Sequence, residues 1–178
     1  QRYRALEPAR GLSTEDVLAY AAWILPATHA QVLGALRAVP LRVGDWAPAS
    51  LLDLGGGPGT AAWAACDVWP EIERVTVIDR EAGFLELGRE AAAVAPAAGL
   101  RSARWLQAEL PAGVPQATFD LVILGLVLGE MPEDQASLVL RRAWDACAGV
   151  MVVVEPGTPP GFLAMEAARR LAVSQGAH

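Results

Sequence analysis

The most informative part of this chain is the segment Leu51-Leu52-Asp53-Leu54-Gly55-Gly56-Gly57-Pro58-Gly59-Thr60. A short apolar run ends near an acid and is followed by four glycines within five positions. Residues 61–65 are then rich in alanine, which is typical of a helix. Glycine lets the backbone approach a ligand without a Cβ atom in the way, and a helix N-terminus presents N–H groups to it. The stretch therefore predicts a strand, a ligand-binding glycine loop and a helix.

Two classes of nucleotide cofactor fit this loop. Residues 57–62 match the pattern G-x-G-x-x-A, which is typical of dinucleotide-binding proteins, so an NAD-type ligand is one interpretation. Asp53 favours S-adenosylmethionine, because a carboxylate beside the loop would repel a pyrophosphate and attract the cationic amino group of the methionine part. The arrangement acid-x-Gly-x-Gly-x-Gly resembles the first motif of class I methyltransferases. The sequence thus favours S-adenosylmethionine, and NAD stays the alternative.

A second acid supports a nucleotide site of either kind. Residues 75–78 are β-branched and Asp79 follows them, which predicts a strand ending on a carboxylate. Asp79 lies 20 residues beyond Gly59, where a doubly wound fold places the acid that binds ribose hydroxyls. Both cofactors contain a ribose, so Asp79 indicates the site without choosing the ligand.

Composition limits the class of protein. The chain has 178 residues, is 53% hydrophobic and 19% charged, and has the size of one domain. It contains no apolar run of the roughly 20 residues that span a membrane, and residues 1–10 do not read as a signal peptide, which together predict a cytoplasmic location. Cys66 and Cys147 form no metal-binding pattern and are expected to be free thiols in a reducing compartment. The net charge of −6 predicts weak RNA binding by this chain alone.

The order of predicted elements indicates the architecture. We expect an N-terminal helical appendage over residues 1–45, with one helix from Ser13 to Leu25, a break at Pro26, and a second helix over 28–38. Residues 46–178 form the cofactor-binding domain, in which strands and helices alternate and predict a parallel, doubly wound α/β sheet. The predicted strands are 50–54, 74–79, 103–107, 119–125 and 149–155, and the helices are 59–69, 82–94, 133–147 and 161–174. The last strand is expected to be an apolar edge.

Several phrases in this order resemble one family. They are AYAAW at 19–23 with LPAT at 25–28, LLDLGGGPGTAAWAA at 51–65, LVLGEM at 126–131, and VEPGTP at 154–159 followed by Gly161 and Phe162. Together they are similar to the methyltransferase-like family of mitochondrial small-ribosomal-subunit assembly factors and their bacterial relatives. The glycine motif is general to methyltransferases, whereas the Glu-Pro-Gly-Thr-Pro segment is distinctive. The resemblance runs from about Tyr20 to the end of the chain.

The resemblance implies a Rossmann-like class I methyltransferase fold, S-adenosylmethionine as cofactor, and association with the small ribosomal subunit or its RNA. Sheets of that class have seven strands and five are visible here, so we expect a C-terminally truncated domain. The family also carries an iron–sulfur or other metal region, and its cysteines are absent from this sequence. Gln107 and Glu109 are candidates to bind the adenine, and Gly125 and Leu126 to flank the methionine part. The full set of predicted cofactor-binding residues is Tyr20, Asp53, Gly55, Gly56, Gly57, Gly59, Asp79, Arg80, Gln107, Ala108, Glu109, Gly125 and Leu126.

The sequence identifies no catalytic residue. No Asn/Asp-Pro-Pro-aromatic segment of the kind that grips a base follows residues 119–125, no Pro-Cys nucleophile is present, and the chain contains no lysine. Glu130 and Glu155 lie near strand ends and are weak catalytic candidates. His29 is expected to be a partly exposed helix residue more than a lid over the pocket.

Three functions remain open. The first is a methyltransferase that acts on the small ribosomal subunit or its RNA, the second a non-catalytic assembly factor that uses the cofactor structurally, and the third an NAD-linked oxidoreductase.

Overall fold

The computed structural model describes residues 12–177 and contains one five-stranded, fully parallel sheet. The first eleven residues of the predicted appendage, and His178, lie outside the described residues. The strand order is β3-β2-β1-β4-β5, which confirms the predicted Rossmann-like architecture. The strands are β1 Ser50–Leu54, β2 Arg74–Asp79, β3 Arg104–Gln107, β4 Phe119–Gly125 and β5 Cys147–Val154. The helices are α1 Thr14–Trp23, α2 Leu25–Ala38, α3 Pro40–Val43, α4 Thr60–Val68, α5 Ala82–Ala92, α6 Ala98–Arg101, α7 Glu133–Asp145 and α8 Pro159–Ser174, with a 3-10 turn at Leu128–Glu130.

Proline positions explain why two helices begin earlier than predicted. Helix α2 begins at Leu25, before the predicted break, because Pro26 occupies the first turn, where its missing N–H costs no hydrogen bond. The chain bends there by 50°. Helix α8 begins two residues early for the same reason, with its prolines in the first turn and Thr158 as N-cap. Helices α3 and α6 and the 3-10 turn were not predicted, because such short elements show no periodicity.

The alternation of side chains along the strands builds a separate core on each face of the sheet. On one face, Leu51 and Ile123 pack against α2, α4 and α6. On the other face, Leu52 and Leu124 pack against α7 and α8. Val32 of α2 is fully buried in the first core. Helix α2 therefore covers the sheet as α4 does. The predicted division into an appendage of residues 1–45 and a domain of residues 46–178 stays a prediction.

Two outer features complete the architecture. Strand β5 is the last strand on its side of the sheet, as predicted. At the opposite end of the strands from the glycine loop, the Asp120 carboxylate accepts hydrogen bonds from the N–H groups of Ala49 and Ser50 and from the Ser50 hydroxyl, at 2.7–3.0 Å.

Within residues 12–177, no single helix has the length and apolar composition to cross a membrane. Only α1 taken together with residues 25–43, across the bend, passes that test of length and composition as a pair.

Candidate cofactor site

The glycine loop lies at the carboxyl edge of the sheet, between β1 and α4. The N–H groups of Gly55 and Gly56 donate to the carbonyl of Ile78 at 2.8 and 3.1 Å, which ties the loop to the end of β2. The N–H groups of Gly59 and Thr60 donate back to the carbonyl of Gly56 at 2.8 and 3.3 Å. Gly59 takes a left-handed conformation with φ of +80° immediately before α4, which glycine adopts without strain. The loop is therefore folded by its own hydrogen bonds.

Asp53 supports this loop from beneath. It is completely buried, and its Oδ2 accepts a hydrogen bond from the N–H of Ala62 at 3.0 Å, while its Oδ1 has no hydrogen-bond partner. A Cβ placed on Gly56 would lie 2.6 Å from the Asp53 Cγ. Burial raises the pKa of Asp53 to about 7. A carboxylate without exposed surface cannot touch a ligand, so the direct attraction for the methionine amino group that the sequence suggests is not available in this structure.

The backbone of the loop offers little to a phosphate. A pyrophosphate bound at a helix N-terminus is held by free N–H groups. Here most of these groups already donate to acceptors within the chain, and Pro58 has none. The groups in use are those of Gly55, Gly56, Gly57, Gly59, Thr60 and Ala62. This arrangement fits a nucleoside ligand without phosphates. The use of the loop N–H groups, and not the charge of Asp53, is therefore what favours S-adenosylmethionine over NAD.

Asp79 lies beside the loop and organises it. Its Oδ2 accepts a hydrogen bond from the N–H of Gly57 at 2.8 Å and its Oδ1 from the N–H of Glu81 at 2.9 Å. Burial raises the pKa of Asp79, and these two hydrogen bonds oppose the rise. Each carboxylate oxygen has a further lone pair. Asp79 can therefore accept from the two hydroxyls of a ribose without releasing the loop.

The predicted adenine-binding residues lie on the same side of the site, at the end of β3. Gln107 pairs with Asp79 across the two strands, and its Nε2 donates to the carbonyl of Arg80 at 3.0 Å. The N–H of Ala108 donates to the carbonyl of Asp79 at 3.0 Å, and Glu109 is exposed. The Arg80 guanidinium is exposed and lies 3.4 Å from Glu81. The structure thus brings Asp79, Gln107 and Ala108 to one rim of the loop.

Gly125 and Leu126 form the opposite rim, at the end of β4. Leu126 has a φ of +58°, in a region where a side chain costs about 1–2 kcal/mol, and its N–H donates to the carbonyl of Val154 at 2.7 Å. Strained backbone of this kind is concentrated at functional sites. Val127 follows and lies so close to Gly55 that a Cβ on this glycine would overlap the valine side chain. Sequence patterns gave no sign of this strain, because leucine has no preference for the conformation.

Tyr20 brings the N-terminal helices to the site. Its ring lies on Phe84 with a centroid distance of 4.7 Å, and its hydroxyl is directed towards Thr28 and Thr60. Burial raises the pKa of Tyr20, and the negative charges of Glu130 and Asp79 add to the rise. Helix α1 therefore borders the start of α4, beside the glycine loop. His29 is directed elsewhere, since its Nε2 lies 3.3 Å from the Asp67 carboxylate at the far end of α4.

The two catalytic candidates have different surroundings. The Glu155 carboxylate accepts hydrogen bonds from the N–H groups of Leu128 at 2.8 Å and Gly129 at 3.3 Å, so it is committed to the backbone of the 3-10 turn. Glu130, at the end of that turn, is exposed. Partial desolvation raises the pKa of Glu130, the charge of Arg80 opposes the rise, and the charges of Glu155 and Asp79 add to it. Of these two candidates, Glu130 is the one whose carboxylate is not committed to a hydrogen bond within the described residues.

Among residues 12–177, no group of three His, Cys, Asp or Glu side chains lies close enough together to hold a metal ion. Both cysteines of the chain are free thiols.

Comparison with known proteins places the chain in a family. The model of the family described as "Mitochondrial small ribosomal subunit Rsm22" matches residues 14–178. The chain belongs to the Rsm22 family. The match to the family model covers α1 and α2 as well as the sheet. It also includes the Glu-Pro-Gly-Thr-Pro segment, in which Glu155 anchors the 3-10 turn and Thr158 caps α8.

Two curated proteins are similar to this Rsm22-family chain. Ribosome assembly protein METTL17, mitochondrial, from Homo sapiens is 28% identical over 173 residues, which is 95% of this chain and 37% of the human protein. Trans-aconitate 2-methyltransferase from Azoarcus sp. is 34% identical over 91 residues, which is 51% of this chain and 32% of that enzyme. The chain thus spans only about a third of the length of these relatives.

Solved structures share the fold of the Rsm22-family chain. Human N-acetylserotonin methyltransferase, crystallised with S-adenosylmethionine, has a TM-score of 0.60 and 21% identity, and the match covers 79% of this chain and 38% of that one. DesVI from Streptomyces venezuelae has a TM-score of 0.58 and 18% identity, with 84% and 60% covered. At these identities the likeness shows the fold, which is that of class I methyltransferases.

Proposed function

We propose that this domain binds S-adenosylmethionine and serves the assembly of the small ribosomal subunit. The cofactor is proposed from the glycine loop. Most N–H groups of this loop donate within the chain, while Asp79 keeps lone pairs for a ribose. Membership of the Rsm22 family supports the ribosomal role, as does the similarity to a mitochondrial ribosome assembly protein.

The residues on the two rims would hold different parts of this ligand. Asp79 accepts the ribose hydroxyls, and the backbone and side chain of Gln107, with Ala108 and Glu109, border the adenine. The loop glycines allow the close backbone approach, and Gly125 and Leu126 flank the methionine part. Tyr20 and Phe84, whose rings lie 4.7 Å apart, would cover the site from the side of α1. When bound, S-adenosylmethionine supplies an electrophilic methyl group on its sulfonium.

Two observations favour a non-catalytic assembly factor as the second candidate function. Glu155 is committed to a backbone turn, and the segment after β4 lacks the residues with which amino-methylating enzymes hold a base. Glu130 is the other of the two catalytic candidates, and it is exposed. An enzyme of this geometry would depend on positioning the acceptor beside the methyl group more than on acid–base chemistry. An NAD-linked reaction is disfavoured because most of the N–H groups that would hold a pyrophosphate already donate within the chain.

The partner is proposed from the family and not from the surface of this chain. A net charge of −6 disfavours strong contact with RNA phosphates, so we propose that this chain by itself contributes little to binding of the ribosomal RNA. We propose a cytoplasmic location, where a bacterial-type relative would meet its ribosomes; fractionation of cells that express the protein tests it, and a mitochondrial signal would contradict it.

Transfer of a labelled methyl group separates the two candidates. The full-length protein would be incubated with immature small ribosomal subunits and S-adenosylmethionine labelled on the methyl group, with the Glu130→Gln variant in parallel. Label in ribosomal RNA, or in a ribosomal protein, would identify an enzyme and exclude the non-catalytic role. Cofactor binding and co-sedimentation with the subunit without any label would support the assembly factor. No association with the subunit would contradict the ribosomal proposal.

A further inference from the structure

We infer that Glu155 is a positioning residue of the cofactor site: its carboxylate anchors the turn of residues 127–130 against the glycine loop and so shapes the half of the pocket that takes the amino-acid part of the ligand. The inference rests on the proposed binding of S-adenosylmethionine. It assigns Glu155 a role through the backbone and not at the reacting atoms.

The anchor consists of charge-assisted hydrogen bonds. Glu155 follows β5 and lies 26 and 27 residues from the two N–H groups, of Gly129 and Leu128, that donate to its two oxygens. Hydrogen bonds to an ionised acceptor are roughly twice as strong as neutral ones. One side chain therefore holds two successive backbone positions of the turn.

The anchored turn has little freedom to move elsewhere. The side chain of Leu128 is 1% exposed and packs in the core under α7 and α8. A Cβ on Gly129 would lie 3.0 Å from the Glu155 Oε2, so this position also fits closely. On the other side, Val127 fills the space above Gly55. The turn thus transmits the position of the Glu155 carboxylate to the glycine loop.

The sheet order identifies which half of the ligand is affected. Strand β1 lies between β2 and β4, so Asp79 and Leu126 stand on opposite sides of the loop. A ribose held by Asp79 directs the adenosine towards β3 and the amino-acid chain across β1 towards Leu126 and Val127. A displaced turn would therefore disturb the amino-acid half and leave the adenosine half in place.

Two ligands that differ only in that half provide the test. S-adenosylhomocysteine and 5′-methylthioadenosine share the adenosine and the thioether, and only the first has the amino-acid group. For the Glu155→Gln variant we expect the Kd of S-adenosylhomocysteine to rise about tenfold, because one charge-assisted hydrogen bond is lost and an amide now faces an N–H donor. The Kd of 5′-methylthioadenosine should stay within about twofold of the unmodified chain. Glu166→Gln, at an exposed position of α8, is the matched control and should change neither Kd.

A second variant covers the case in which Glu155→Gln fails to fold. Gly129→Ala pushes on the same carboxylate with a single methyl group and should weaken S-adenosylhomocysteine selectively, by about threefold. Equal weakening of both ligands in the folded variants, or no weakening of either, would overturn the positioning role while leaving the proposed function intact. Failure of the unmodified chain to bind S-adenosylhomocysteine would overturn both, and this outcome is recognised before any variant is made.

Discussion

Substitution of Gly56 by alanine tests how closely the glycine loop is fitted to the residues beneath it. The new Cβ would lie 2.6 Å from the Asp53 Cγ and 2.8 Å from the Val77 Cγ1, and both of these side chains are completely buried. Neither can move into solvent. Overpacking of this kind costs about 1–3 kcal/mol, and displacing Asp53 puts at risk its hydrogen bond to Ala62, which contributes about 1 kcal/mol. We therefore expect a loss of about 2–4 kcal/mol in the free energy of unfolding.

Two other glycines provide the comparison. Gly57 has a φ of +56° but ample space, with Phe84 Cδ2 3.8 Å from a new Cβ, so Gly57→Ala should cost only the backbone penalty of about 1–2 kcal/mol. Gly34 lies within α2 with nothing inside 4 Å, so Gly34→Ala should stabilise the chain by about 0.5–1 kcal/mol. Urea denaturation followed by circular dichroism measures all three. A loss at Gly56 that is no larger than the loss at Gly57 would refute the steric reasoning.

Two further predictions concern buried titrating groups. Burial raises the pKa of Asp53 from its ordinary value of 3.8 to about 7, so the folded state binds this proton more tightly than the unfolded chain does. The stability that this group contributes is complete below pH 4 and is lost as the pH rises to about 7, by up to about 4 kcal/mol. The unfolding free energies of the unmodified chain and of Asp53→Asn should therefore diverge over that range, whereas those of exposed Asp45→Asn should follow the unmodified chain. Parallel curves for the unmodified chain and Asp53→Asn would contradict the raised pKa of Asp53. Burial, with a smaller contribution from Asp67, also raises the pKa of the Cys66 thiol to about 11. In a Cys147→Ser variant, alkylation of Cys66 by iodoacetamide at pH 8 should therefore be roughly a hundredfold slower in the folded chain than in denaturant. Similar alkylation rates in the two states, measured by mass spectrometry, would show that Cys66 is accessible.

The parts of this fold that sequence predicts are those set by local patterns. The β-branched run before Asp79 and the glycine-rich segment after Leu54 are contiguous, and the structure contains the expected strand, loop and helix at each place. The parallel sheet followed from the alternation of elements, and the two rims of the site followed from the rule that ligands bind at the carboxyl ends of such strands.

The parts that sequence did not predict depend on contacts between distant residues. Nothing near Glu155 indicates that its partners are N–H groups 26 and 27 positions earlier, nor that Leu126 is held in a left-handed conformation by the last hydrogen bond to β5. For Asp53 a signal did exist. Strand side chains alternate, so Asp53 shares the face of Leu51, which is buried under α4, and this alternation places the carboxylate beneath the loop.

We propose above all that the glycine loop and Asp79 bind S-adenosylmethionine and not a dinucleotide. Titration calorimetry with S-adenosylmethionine, S-adenosylhomocysteine and NAD tests it most directly, with Asp79→Asn as the variant and exposed Asp145→Asn as the control. We predict that the first two ligands bind at one site, that Asp79→Asn weakens both by about tenfold or more through loss of charged hydrogen bonds to the ribose, and that NAD gives no heat of binding. Binding of NAD with comparable affinity, or no binding of any of the three ligands, would contradict the account.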